Sequence, residues 1–174
     1  MKKINLVYQI GLGGILTSIT VILQSAPVFL PIIGLILSPF STLPVALAAL
    51  INVYLGLGVF TSSLFILLIV SIQEGAIFLF ATGILGIVLG SLLFRKGILI
   101  TILASSLTLS IGMILLTLIV AIPGFVYMVT CFAFIFIIII YLMFSLAYVS
   151  IWTICFRRLA NYLFKINIFG KFYN

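Results

Sequence analysis

Long apolar runs alternate with short polar, proline-containing or glycine-containing breaks along the whole chain. A helix needs about 20 apolar residues to cross the hydrocarbon core of a bilayer, and the runs are of this order of length. The pattern predicts an all-α integral membrane bundle in which residues 1–174 form a single transmembrane domain. Its six predicted transmembrane helices have the limits 6–25, 42–54, 59–72, 75–94, 98–122 and 128–156.

The segment between the first two predicted helices is apolar but contains several residues that interrupt helices. These residues are Pro27, Pro31, Gly34, Pro39 and Pro44. Proline removes a backbone hydrogen bond, and an unsatisfied backbone group in hydrocarbon costs several kcal/mol. The pattern therefore predicts a proline-broken, partly re-entrant outer loop over 27–44. Gly56 and Gly58 predict an inner turn between the second and third helices.

Composition agrees with a membrane protein, since 66% of the residues are hydrophobic and only 5% are charged. A soluble domain needs more charge on its surface, so lipid is the expected solvent. The basic residues fall into three groups: Lys2 with Lys3, Arg95 with Lys96, and Arg157, Arg158, Lys165 and Lys171.

The positive-inside rule places all three basic groups in the cytoplasm, which requires an even number of crossings between any two of them. Four short crossings fit before Arg95 and two long ones fit after Lys96. Both termini are therefore predicted to be cytoplasmic. The basic and aromatic tail, 157–174, is predicted to lie along the inner leaflet, so the net charge of +7 indicates a membrane surface and not nucleic acid.

Catalytic chemistry has few candidate residues here, because the chain has no histidine and a single acidic residue, Glu74. Metal sites built from histidine or carboxylate clusters are excluded, and a serine nucleophile would lack its base. No glycine-rich phosphate loop with its lysine is present. The sequence predicts neither an enzyme nor a bound metal or cofactor.

Polar residues that the predicted topology sends to the outer face cluster in a few places. They are Gln24, Ser38, Ser41, Thr42, Gln73, Glu74 and Tyr127. A small-molecule site is mostly apolar with a few polar groups, so these residues predict an outward-facing substrate-binding pocket. Two alternatives stay open: polar residues at helix ends also meet water and headgroups, and Glu74 also suits the start of the fourth helix.

Two helices carry small residues four positions apart, a spacing that allows close approach of another helix. Helix one has Gly13 with Thr17 and Gly14 with Ser18. This stripe fits packing within the bundle or docking of a partner protein. On helix four, Thr82, Gly86 and Gly90 predict close packing inside the bundle.

Four segments in order carry a likeness to a known family: GLGGILTS at 11–18, APVFLPIIGLILSPFSTLP at 26–44, ALAALINVYLGLGVFTSSLFILL at 46–68, and FLFATGILGIVLGSLLFRK at 78–96. In size, helix number and this order of segments, the chain resembles the substrate-binding S components of energy-coupling factor (ECF) vitamin transporters. It departs from them in having glycine and serine where alanines are usual on helix one.

That resemblance implies capture of a nutrient from outside under a lid, here 27–44, and docking through Gly14 and Ser18. The implied partners are a transmembrane subunit and ATPase subunits in a bacterial plasma membrane. Few polar residues occur on the later helices, so the expected nutrient is small and rather apolar. The alternative is a structural or regulatory membrane protein, such as an assembly factor or immunity-type protein, with no transported ligand.

Overall fold

A computed structural model describes residues 6–120 and 131–165, and within these ranges the chain is helical without any strand. The elements are α1 (Leu6–Phe29), α2 (Pro31–Leu37), a 3₁₀ segment (Ser38–Ser41), α3 (Thr42–Ile51), α4 (Val53–Val70), α5 (Ile72–Ile77), a π-helical turn (Phe78–Thr82), α6 (Gly83–Leu92), α7 (Ile98–Val120) and α8 (Cys131–Lys165).

Six helical stretches of the described residues are long and apolar enough to cross a membrane: Val7–Phe29, Pro31–Ile51, Val53–Val70, Ile72–Leu92, Ile98–Thr117 and Phe136–Tyr162. The second joins α2, the 3₁₀ segment and α3, and the fourth joins α5, the π turn and α6. Large apolar side chains are exposed along these stretches, as lipid-facing side chains are. The chain is a multi-pass membrane protein, as predicted.

The predicted outer loop over 27–44 is wrong, because the chain between these positions is helical except at Leu30. Pro31, Pro39 and Pro44 each lie in the first turn of a helical segment: α2, the 3₁₀ segment and α3. The first-turn amides of a helix have no intrahelical partner, so proline costs little there. The second span therefore begins near Pro31 and not near Thr42.

The predicted inner turn at Gly56 and Gly58 is also wrong, since both glycines lie inside α4. The chain turns instead at Asn52, whose backbone is extended with φ −153° and ψ 129°. The Asn52 side chain accepts a hydrogen bond from the amide of Tyr54 at 3.1 Å and so caps α4. The second and third spans consequently end at Ile51 and Val70 instead of at the predicted 54 and 72.

The same type of corner joins the first four spans, at Leu30, Asn52 and Ser71. At each corner a single non-helical residue donates its amide to the carbonyl four residues earlier, and its own carbonyl accepts the amide four residues later. The residue that donates to the corner carbonyl is glycine in all three cases: Gly34, Gly56 and Gly75.

These three corner glycines allow close approach of the helices on either side of the corner. A Cβ at Gly56 would lie 2.6 Å from the Cβ of Ala49, and one at Gly75 would lie 2.7 Å from the side chain of Leu68. At Gly34, a Cβ would overlap the backbone at the end of α1. Each corner therefore depends on the absence of one side chain.

The bundle centre is built around α3 and α6, which pack closely against each other. A Cβ at Gly86 would lie 2.9 Å from the carbonyl oxygen of Thr42, and one at Gly90 would overlap the backbone of Ala46. The predicted close packing of this face of helix four is thereby confirmed. Apolar side chains from α3, α6, the C-cap of α6, α7 and α8 complete this part of the core: Ala46, Leu85, Leu89, Leu93, Leu109, Val149, Trp152 and Phe156.

The last helix, α8, is longer than predicted, because it continues through 157–165 to Lys165. Part of the predicted tail is therefore helical, and the remainder lies outside the described residues, as do the predicted end of helix five and start of helix six. Lys96 and Arg157 line one common cavity. Two of the three basic groups thus lie at the same end of the bundle, which we call the basic end.

Candidate functional site

Four buried polar side chains, Gln24, Ser41, Glu74 and Thr82, form a hydrogen-bonded group that we call the polar cluster. Nε2 of Gln24 donates to Oε2 of Glu74 at 2.9 Å. Oε1 of Gln24 accepts from Oγ of Ser41 at 2.7 Å and from Oγ1 of Thr82 at 2.9 Å. Gln24 is fully buried and Glu74 is 7% exposed, so the bonds lie inside the bundle.

Each member of the polar cluster comes from a different element. Gln24 lies near the end of α1, and Ser41 is the last residue of the 3₁₀ segment. Glu74 lies in the first turn of α5, where its amide donates to Oγ of the corner residue Ser71 at 3.4 Å. Thr82 ends the π turn. The cluster therefore links the first, second and fourth spans.

Both departures from α-helical geometry in the described spans end at a member of the polar cluster. The 3₁₀ segment is wound more tightly than an α-helix and the π turn more loosely. Each thereby changes the rotation of the residue at its end relative to an uninterrupted α-helix. Ser41 and Thr82 both place their hydroxyls on the Gln24 amide oxygen. Single π turns inside α-helices frequently occur at functional sites.

The energetic importance of the cluster follows from its burial. A buried polar group left without a partner costs about 1–3 kcal/mol, whereas a satisfied network in a low-dielectric interior fixes one arrangement. Gln24 is the common partner of the other three members. It also provides the amide donor for Glu74, the chain's single acidic side chain.

The predicted substrate-binding residues fall into separate groups in the structure. Gln24 and Glu74 come together, with Ser41 beside them. Thr42 is buried, and its hydroxyl donates to the carbonyl of Pro39 at 2.8 Å, outside the cluster. The remaining three predictions divide as follows: Ser38 is buried, Gln73 is exposed, and Tyr127 lies outside the described residues.

The sequence predicts a different role for Thr82 than membership of the polar cluster. Its spacing with Gly86 and Gly90 indicated helix packing, and those two glycines do pack against α3. The π turn rotates Thr82 toward Gln24, and no residue in FLFAT signals that turn. A polar residue within an apolar span was the only available sign of this role.

The small residues of α1 divide between two faces of the helix. A Cβ at Gly13 would lie 3.3 Å from Cδ1 of Leu55, and Thr17 is buried. A Cβ at Gly14 would meet nothing within 4 Å, and Ser18 is exposed. Gly13 and Thr17 therefore pack inside the bundle, while Gly14 and Ser18 form what we call the exposed face of α1.

Across the residues that the structure describes, no group of three or more His, Cys, Asp or Glu side chains could hold a metal ion. The polar cluster offers amide, carboxyl and hydroxyl groups in apolar surroundings, a set that suits hydrogen bonding to a small molecule. Separation of Ser41 from Gln24 would free one acceptor and one donor for such a ligand.

No protein-family model, curated protein or solved structure matches the chain.

Proposed function

We propose that the chain is a membrane-embedded substrate-binding subunit for uptake of a small, rather apolar nutrient, and that it works with a separate ATP-hydrolysing module. The observation that carries this proposal is the division of α1 into two small-residue faces, one packed and one free. Gly14 and Ser18 are the residues that the resemblance to ECF S components assigns to docking.

Close packing is the main source of helix association in a bilayer, because lipid tails are as apolar as the side chains they meet. Small residues let two backbones approach and so increase that packing. The exposed face of α1 offers such a surface, and the hydroxyl of Ser18 is already bonded to the carbonyl of Gly14 at 3.0 Å. A transmembrane helix of a partner subunit can therefore dock there without leaving a polar group unsatisfied.

The polar cluster supplies the ligand site of this proposal. The 31–41 segment, α2 with the 3₁₀ segment, ends at the cluster, where Ser41 donates to Gln24. α2 packs against the end of α1 at Gly34, and its opposite face, with Ile32 and Leu35, is exposed. Movement of the segment would open the cluster to a ligand with one or two polar groups. The segment takes the place of the lid that the resemblance implies.

A second candidate function is a structural or regulatory membrane protein without a transported ligand. The observation that favours it is that Ser41, Glu74 and Thr82 already bond to Gln24 within the protein. In this case the cluster only stabilises the bundle, and the exposed face of α1 binds another membrane protein. The two candidates share the docking surface and differ in the ligand and in the ATPase partners.

Copurification from the protein's own membranes separates these candidates. Tagged wild-type protein, a Gly14→Leu/Ser18→Leu variant and a Gly58→Leu control are extracted in mild detergent. Gly58 is an exposed glycine of α4 with no atom within 4 Å of a Cβ, so its variant adds one leucine to a different exposed helix face. Mass spectrometry then identifies both the copurified proteins and the extracted small molecules.

Recovery of an ATPase pair and its membrane scaffold with wild type and control, but not with the α1 variant, is the result expected for the uptake subunit. One nutrient retained by the purified protein would identify the cargo. Recovery of another membrane protein without ATPases or ligand would favour the structural or regulatory candidate. Recovery of the ATPase module by all three proteins alike would exclude docking through the exposed face of α1.

A further inference from the structure

A cavity of about 590 Å³ lies at the basic end of the bundle, where the turn between α6 and α7 meets α8. Its volume lies within the range of about 300–1,000 Å³ that is usual for pockets holding small ligands. The polar side chains in its lining are Lys96, Arg157 and Asn161. The rest of the lining is apolar apart from Gly97: Leu93, Phe94, Ile98, Leu99 and Ile100.

Local geometry determines which basic side chains reach this cavity. Gly97 adopts a left-handed φ of 87°, which residues other than glycine rarely adopt. The chain reverses there, immediately after Lys96. Arg157 and Asn161 are four residues apart and so share one face of α8. Their neighbours Arg95 and Arg158 are exposed but do not line the cavity.

The cations of the cavity have no acidic side chain to neutralise them. Glu74 is the only acidic residue of the chain, and it is held by Gln24 in the polar cluster. The two cations, Lys96 and Arg157, therefore attract an anion from outside the protein. All three polar side chains of the lining can donate hydrogen bonds, and arginine and lysine both bind phosphate oxygens. The first turn of α7, which also lines the cavity, adds to the attraction.

We propose that this cavity binds the headgroup of an anionic phospholipid, with the phosphate between Lys96 and Arg157. Exposed Leu99 and Ile100 provide an apolar surface for the upper part of the acyl chains. A free phosphate ion would leave that surface unused, whereas a lipid matches both parts of the lining. Basic pockets between transmembrane helices on the cytoplasmic side are known to bind anionic headgroups. The proposal is independent of whether the protein carries a nutrient.

The test uses the full chain in neutral detergent, titrated with phosphatidylglycerol or with phosphatidylcholine and observed by native mass spectrometry. A cavity variant, Lys96→Gln/Arg157→Gln, is compared with a control, Arg95→Gln/Arg158→Gln, that loses the same charge beside the cavity. We expect the cavity variant to bind phosphatidylglycerol roughly tenfold more weakly than wild type, with the control close to wild type. Binding of phosphatidylcholine should be the same in all three proteins.

Three results would overturn the proposal. Equal weakening in the cavity variant and the control would mean that overall charge, not the cavity, attracts the lipid. Equal binding of both lipids by the wild type would mean that no anionic site exists. Displacement of phosphatidylglycerol by an equal concentration of glycerol 3-phosphate would identify a free phosphate as the occupant. Lys96→Gln alone changes one exposed turn residue and gives the same comparison if the double variant fails to fold.

Discussion

At the scale of single residues, the corner glycines Gly34, Gly56 and Gly75 show how a chain with one-residue connections can still pack its helices closely. The turn itself is made by one non-helical residue with a negative φ, which any amino acid can adopt. Glycine is needed four residues later, where the returning helix passes the preceding one. Gly56 therefore marks a close helix approach inside α4 and not a turn. This explains why the turn predicted from this glycine lies four residues beyond the observed corner at Asn52.

Substitution of the corner glycine Gly56 should destabilise the protein, while substitution of Gly58 in the same helix should not. Gly56→Ala places a Cβ 2.6 Å from the Cβ of Ala49, and overpacking of this kind costs about 1–3 kcal/mol. Gly58→Ala adds a Cβ in open space and should be neutral or slightly stabilising, since alanine favours helix more than glycine does. The free energy of unfolding in mixed detergent and dodecyl sulfate micelles measures both. Equal stabilities would contradict the corner packing.

At the scale of elements, only part of the polar cluster is predictable from the sequence. The predicted topology places Gln24 and Glu74 near the same end of the bundle, and the structure brings them together. Thr82 could not be grouped with them, because its contact depends on a π turn inside an apolar helix. Asn52 and Ser71 carried a usable signal, since both residue types commonly cap helices.

Replacement of the central amide should cost more than replacement of an exposed amide. Gln24→Leu removes the common partner of Ser41, Glu74 and Thr82, and buried polar groups without partners cost about 1–3 kcal/mol each. We expect a loss of about 2 kcal/mol or more, because the hydroxyls can turn to nearby carbonyls but the carboxyl cannot. Gln73→Leu, at an exposed position of α5, is the matched control. The denaturation midpoint measures both, and similar losses would disprove the importance of the cluster.

The two faces of α1 should respond differently to added bulk in the isolated protein. Gly13→Leu adds a side chain where a Cβ alone would already lie 3.3 Å from Leu55, so it should lower the unfolding temperature in detergent. Gly14→Leu adds the same side chain where nothing lies within 4 Å and should leave stability close to wild type. Thermal unfolding followed by circular dichroism makes the comparison. A large loss with Gly14→Leu would mean that this face packs within the bundle.

At the scale of the whole molecule, apolar length and the distribution of charge were sufficient to predict the number of spans, which the structure confirms as six in its described residues. Their boundaries were harder to predict, because proline has opposite meanings at the start and in the interior of a helix. Pro31, Pro39 and Pro44 all lie in first turns, where the second span tolerates them. The predicted number of spans is still correct, because the loop predicted at 27–44 and the turn predicted at Gly56 and Gly58 change only the limits of the second and third spans. Neither error adds or removes a crossing.

The orientation of the bundle is a prediction that labelling of single cysteines can test. Gln73 and Asn161 are exposed, uncharged positions near opposite ends of the bundle, one at the start of the fourth span and one at the basic end. With Cys131 and Cys155 replaced by serine, the positive-inside rule predicts that an impermeant maleimide labels Gln73→Cys in intact cells. It should label Asn161→Cys only after the cells are opened. The reverse pattern would place the basic cavity outside the cell, away from the anionic inner leaflet, and would turn the 31–41 segment toward the cytoplasm. Both the lipid site and the uptake function therefore depend on this one result.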